Sequence, residues 1–169
     1  MESIVALLAA LERSPPAVSI AESAWAFPVI ETIHVIGLTL TIGTVLVLDL
    51  RLLGLASLNQ RFTALRRSIL PWTWLAFGGA AVSGFLMFSS QAVAYFQNDA
   101  FRIKLVLLLL AGLNMLVFEL MLARGAGGWG DKVPVPWPGR IAALLSLALW
   151  ISIVFLGRRV GFTMLLGQN

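Results

Sequence analysis

Four apolar stretches, each long enough to cross a bilayer, limit what this chain can fold into more than any other feature. They run over about residues 26–53, 70–96, 100–124 and 139–157. A helix of roughly 20 apolar residues spans the ~30 Å hydrocarbon core. In that medium each backbone N–H and C=O must find its partner inside the protein, which favours helices. The expected fold class is therefore all-α: an integral membrane four-helix bundle with a short N-terminal interfacial amphipathic helix. Of the 169 residues, 59% are hydrophobic and 12% charged, and the mean hydropathy is +0.92. A soluble domain needs more polar surface than this. No stretch between the spans is long enough for a second core, so residues 1–169 form a single membrane domain.

Local signals punctuate the spans. Ile4, Leu7, Leu8 and Leu11 recur at helical spacing, so residues 2–13 read as a helix too short to cross and suited to the interface. Glu2 and the Glu12-Arg13 pair do not fit a cleavable signal sequence. Ser14-Pro15-Pro16 ends this helix. Ser19-Ile20-Ala21-Glu22 has capping-box spacing, which predicts a helix bending at Pro28 into the first span. Gly54 is placed to end that span. Pro71 is expected in the first turn of the second, with Trp72 and Trp74 in an aromatic belt. Asn98 or Asp99 is expected to cap the third. Pro134, Pro136 and Pro138 predict an extended connection to the fourth. The glycine-rich run Gly125-Ala126-Gly127-Gly128-Trp129-Gly130 lacks the lysine and flanking strand of a phosphate loop and reads as a flexible connector.

The basic residues lie at span ends, which points to lipid headgroups and topology, not to nucleic acid. With four crossings, Arg51, Arg61, Arg66, Arg67, Arg124, Lys132 and Arg140 fall on the side of the two inter-helix loops. Arg13, Arg102, Lys104, Arg158 and Arg159 fall with the termini. The positive-inside rule then places the loops in the cytoplasm and both termini outside. The sequence has no cysteine, which excludes disulfides, thiolate metal sites and covalently attached haem. A non-covalent cofactor stays open.

Ionisable groups at membrane depth are costly and by default functional, so the cluster Glu31-Thr32-Ile33-His34 draws attention. His34 is the sole histidine and lies about eight residues, or ~12 Å, into the first span. Gly37, Thr41 and Thr44 share its face, leaving room for a flat ligand or a close helix. Neutral imidazole is the usual axial ligand of non-covalent haem; the alternative is a histidine hydrogen-bonded to a neighbouring helix. Glu31, one turn towards the surface, could fix the imidazole tautomer, accept a proton or pair with Lys104, or simply meet water. Lys104 could reach a carboxylate such as a haem propionate, or snorkel as an anchor. Met87 comes to the same depth on the second span, either as a second ligand for haem or copper or as core filler.

At the opposite end Asp49, Arg51 and Glu119 are expected to form a structural ion pair, through Arg51 and either carboxylate. Asn114 is suited to an interhelical hydrogen bond. No serine has a convincing His–Asp relay, so serine hydrolysis is not expected.

The residues Trp25-Ala26-Phe27-Pro28-Val29-Ile30-Glu31-Thr32-Ile33-His34-Val35-Ile36-Gly37, with Gly43 and Asp49-Leu50-Arg51-Leu52-Leu53-Gly54, resemble the opening of an uncharacterised family of small bacterial membrane proteins. That resemblance covers nearly the whole chain. Over about two helices the pattern is also similar to the membrane-bound, haem-binding protoporphyrinogen oxidases and to the copper-resistance D family. Both have a histidine–glycine stretch in an early helix and a lysine-led apolar run, matched here by Lys104-Leu105-Val106-Leu107-Leu108. The resemblance implies haem-linked roles for His34 and Lys104. Where the oxidases carry a further histidine, this chain has Leu110-Ala111-Gly112-Leu113-Asn114.

These readings converge on one expectation: a bacterial inner-membrane protein binding haem b at His34, with Met87, Lys104 and Glu31 around it, acting in electron transfer. Copper held by His34 and Met87, in a transport or accessory subunit, is the alternative. A structural partner of a larger complex is the third. Thr32, Thr39 and Gly43 offer a small-residue face for a homo-oligomer, and the redox partner is unspecified.

Overall fold

The computed structural model of the protein describes residues 2–122 and 134–166. Arg124, Lys132 and the glycine-rich connector of residues 125–130 lie outside the described residues, as do the last residues of the third span as the sequence bounds it. The described residues form helices and no strand. In chain order these are α1 (Glu2–Glu12), α2 (Pro15–Glu22), α3 (Ala26–Leu53), α4 (Phe62–Ser90), α5 (Ala92–Gln97), α6 (Asp99–Val117) and α7 (Trp137–Leu166). A π-helical turn, Phe118–Leu122, continues α6.

Four of the helices, α3, α4, α6 with its extension, and α7, are long and apolar enough to cross a membrane. Their outer faces are greasy: Leu109 is 74% exposed, Ile151 70% and Phe155 68%. Burying so much apolar surface in lipid is what makes the fold possible, since the bundle interior alone covers little of it. The protein is a multi-pass membrane four-helix bundle.

The helix ends follow capping chemistry, with some differences from the sequence reading. Gly54 adopts the left-handed conformation (φ 77°) and ends α3, its N–H bonding Arg51 O at 3.2 Å, with Leu55 N–H on Leu50 O at 2.9 Å. Only glycine enters that conformation without strain. Asn98 caps α6, its side-chain oxygen accepting from Phe101 N–H at 3.1 Å. Pro15 and Pro16 close off α1, as expected, but they also open α2, because proline suits a first turn where no N–H bond is required. Ser19 is consequently inside α2, donating back to Pro15 O at 2.8 Å, and caps nothing. The chain turns instead at Ser23, whose hydroxyl accepts from Ala26 N–H at 3.0 Å to start α3. Pro28 therefore sits in the first turn of α3 and needs no bend.

α4 begins eight residues before the predicted start, so Arg66 and Arg67 are helical and Pro71 lies in the helix interior. An interior proline removes one ladder bond, a loss that packed membrane helices accommodate. At the far end α4 stops at Ser90, and the short α5 turns the chain into α6. There Phe88, Tyr95 and Phe101 gather, with Phe88 and Phe101 stacked at 5.5 Å. Glu12 of α1 accepts from Val93 N–H at 2.8 Å and so fastens the N-terminal helix to this corner.

The bundle is two antiparallel hairpins. α3 packs on α4, α6 on α7, and the hairpins join through α3 and α7. α4 and α6 are not among the closely packed pairs of the described residues. Small residues set the α3–α4 distance: a Cβ on Gly37 would stand 3.0 Å from Ala76 O and 3.1 Å from Ala80 Cβ. Such close approach is the usual basis of helix association in lipid. Polar side chains bridge the same seam, Thr73 donating to the Thr44 hydroxyl at 2.9 Å.

Candidate functional site

His34 lies on α3 at the seam with α4, half-buried. Its Nδ1 is 2.7 Å from Ala80 O and 3.3 Å from Ser83 Oγ. A carbonyl only accepts, so Nδ1 carries the hydrogen and donates. In the neutral ring Nε2 then holds the lone pair. Among the described residues no hydrogen bond reaches Nε2. The ring edge lies directly over Gly84, where a Cβ would stand 2.8 Å from Cε1. Thus α4 supplies a carbonyl, a hydroxyl and a bare backbone to fit one imidazole. The interhelical hydrogen bond foreseen as the alternative role of His34 is present, and it leaves the second ring nitrogen available. The tautomer is fixed by Ala80, not by Glu31.

Lys104, near the start of α6, is half-buried. Its Nζ is 3.6 Å from the position a Cβ would take on Gly157, so that glycine makes room for the side chain on α7. Lys104 and Glu31 both lie close enough to act electrostatically on His34. Glu31 itself is exposed, one turn from His34 on α3. No ion pair joins Glu31 to Lys104 among the described residues. Met87 follows Gly84 by three residues and shares its face of α4, half-buried. The structure therefore brings His34, Lys104 and Glu31 to one end of the bundle, where α1, α2 and α5 also gather, with Met87 one turn from the histidine's floor.

A second polar group occupies the opposite end, where the sequence suggested only a structural pair. Arg66 donates from Nε to Glu119 Oε1 at 2.9 Å and from Nη2 to Glu119 Oε2. This bidentate pair replaces the expected Arg51–Glu119 contact. Arg51, 2% exposed, instead turns Nε and Nη2 onto Gln60 O at 2.9 and 2.8 Å. The helical extension of α4 explains the difference: it carries Arg66 across from Glu119, which the π turn after α6 presents. Asn114 donates to Ala142 O at 3.0 Å, the interhelical bond expected of it. Asp49, 6% exposed, has an Oδ2 atom with no partner among the described residues. Arg66, Glu119, Asn114 and Asp49 border a cavity of about 560 Å³ lined by all four long helices. His34, Lys104 and Met87 are not in its walls, so the two ends are separate sites.

A protein-family profile described as a family of unknown function (DUF6644) matches residues 25–163. The chain belongs to this family. No curated protein and no solved structure matches the chain. The DUF6644 match begins at Trp25, leaves α1 and α2 outside, and takes in His34, Lys104, Glu31 and Met87 as well as Asp49, Arg51, Arg66, Asn114 and Glu119. The DUF6644 segment therefore comprises the four-helix body with a polar group at each end.

Proposed function

We propose that this DUF6644 protein binds haem b at His34 and passes electrons within the membrane. The observation that carries the reading is the Nδ1–Ala80 carbonyl bond. It orients the imidazole and leaves the Nε2 lone pair for a ligand, the arrangement typical of metal-ligating histidines. The residues present fit the group: one oriented imidazole suffices as protein ligand, and the half-buried Lys104 cation suits a propionate. Bound haem would supply a one-electron couple, tuned by the surrounding polarity and hydrogen bonds. The chain's own contribution is positioning. Ser83 and Ala80 hold the ring, Gly84 allows its close approach, and Lys104 offsets negative charge.

Copper held by His34 and Met87 would have one imidazole and one thioether, and among the described residues no three of His, Cys, Asp and Glu come together to enlarge that set. One oriented imidazole is enough for haem, which places haem ahead of copper. A bacterial inner-membrane setting with cytoplasmic loops and external termini is part of the same proposal, supported by the basic residues of α4. Thr32, Thr39 and Gly43 are exposed along α3 and form the contact face of the proposed oligomer.

The test is the absorption spectrum of protein expressed with haem supply and purified in mild detergent. A Soret band that His34→Ala abolishes, with helical content retained, is expected. A colourless, fully helical wild-type preparation refutes the reading. Stoichiometric copper without iron by elemental analysis would favour the transport alternative.

A further inference from the structure

The cavity at the loop end is a site in its own right. It lies where α4 and α6 face each other without close packing, and its walls are mainly apolar. Trp74, Phe77, Phe118 and Trp150 contribute rings. Among the described residues three formal charges border it: Asp49, Glu119 and Arg66. Arg66 and Glu119 neutralise each other through their bidentate pair. Asp49 is left over. Ser146 of α7 lines the same cavity, yet Asp49 Oδ2 has no donor among the described residues although the residue is 94% buried. A buried acceptor without a partner is costly, and more so if charged. A ligand bringing both the donor and the positive charge would remove that cost.

The cavity also has a direction. Asp49 and the Arg66–Glu119 pair stand towards the loop end of the helices, whereas Thr41 and Phe77 lie deeper. Along α3, Asp49 and Thr41 are eight residues apart, or about 12 Å. One end therefore offers a carboxylate and the rest offers apolar and aromatic surface.

We propose that this cavity binds an amphiphilic monocation, an ammonium head at the Asp49 carboxyl with an aliphatic or aromatic body along the ring-lined wall. Among the described residues the formal charge of the walls is −1, which one ammonium balances and a divalent ion overshoots. An anionic amphiphile meets repulsion at Asp49. Aromatic faces add attraction for a cation nearby. The site is independent of the reading at His34, which lies outside these walls.

The experiment uses the full chain in nanodiscs of zwitterionic phosphatidylcholine, with empty discs subtracted. Isothermal titration compares 4-phenylbutylamine with its neutral counterpart 4-phenylbutanol. The amine is expected to saturate at one per chain, at least tenfold tighter than the alcohol (about 1.4 kcal/mol). Asp49→Asn is expected to erase the amine's advantage while alcohol binding persists, which also reports an intact cavity. Equal binding of the two compounds to the wild type overturns the proposal, as does absence of saturable amine binding. An undiminished preference for the amine in Asp49→Asn overturns it equally. The wild-type comparison stands whether or not the variant folds.

Discussion

Gly84→Ala is the sharpest perturbation the seam between α3 and α4 offers. The added methyl would stand 2.8 Å from His34 Cε1, whereas ordinary contacts begin at about 3.4 Å. The ring must move by roughly 0.6 Å. If that displacement falls along the Nδ1–Ala80 direction, the 2.7 Å bond lengthens to about 3.3 Å, beyond the usual N–H···O range of ~2.7–3.2 Å. Overpacking of a close contact costs about 1–3 kcal/mol. A weakened interhelical bond in a membrane adds about 0.6 kcal/mol. Replacing a helical glycine by alanine returns up to about 1 kcal/mol. The net expectation is a loss of about 1–2 kcal/mol. Gly79→Ala, on the same helix, is the control, because nothing lies within 4 Å of its added methyl; it should be neutral or slightly stabilising. Reversible unfolding in mixed micelles, followed by far-ultraviolet circular dichroism, measures both. Equal stability of the two variants would refute the claim that Gly84 is the floor of the histidine site.

Glu119→Gln should destabilise by about 1–2 kcal/mol, below the ~3–5 kcal/mol typical of a fully buried pair, because the two side chains are 29% and 25% exposed. The double variant Arg66→Met with Glu119→Met should recover most of the loss, as measured in the same unfolding assay. The absence of native cysteine makes single-cysteine topology mapping direct: Ser3→Cys should react with an impermeant maleimide applied outside cells, and Asn59→Cys only after lysis. The reverse labelling pattern would overturn the proposed orientation.

The sequence made the four spans legible because lipid demands a long apolar run, and that demand is met residue by residue. The end signals at Gly54 and Asn98 were equally local: one needs a left-handed backbone, the other an acceptor beside free N–H groups. Less visible was the start of α4. Its first two turns carry Arg66 and Arg67, so polarity marked them as loop although they are helical and project beyond the apolar run. That misplacement hid the Arg66–Glu119 pair. Pro15-Pro16 was ambiguous for another reason: proline both stops one helix and begins the next. At the histidine, sequence placed His34, Lys104 and Met87 at one depth, with Glu31 one turn towards the surface. It could not show that Ala80 would hold the ring or that Gly84 would make its floor, since those depend on the register between helices. Nor could it show the cavity, which arises from two helices that fail to meet.

The division into two hairpins has a consequence for how the chain enters the bilayer. The polar groups of the first hairpin, His34, Thr44, Thr73 and Ser83, find partners within residues 26–90. Those bonds can form before the second hairpin is made. Asp49 and Arg66 are different: Asp49 borders the cavity that the last helix helps to wall, and Arg66 pairs with Glu119 beyond α6. Until the second hairpin arrives, that carboxyl lies on an open flank and that guanidinium has no carboxylate, so completion of synthesis encloses the one and neutralises the other.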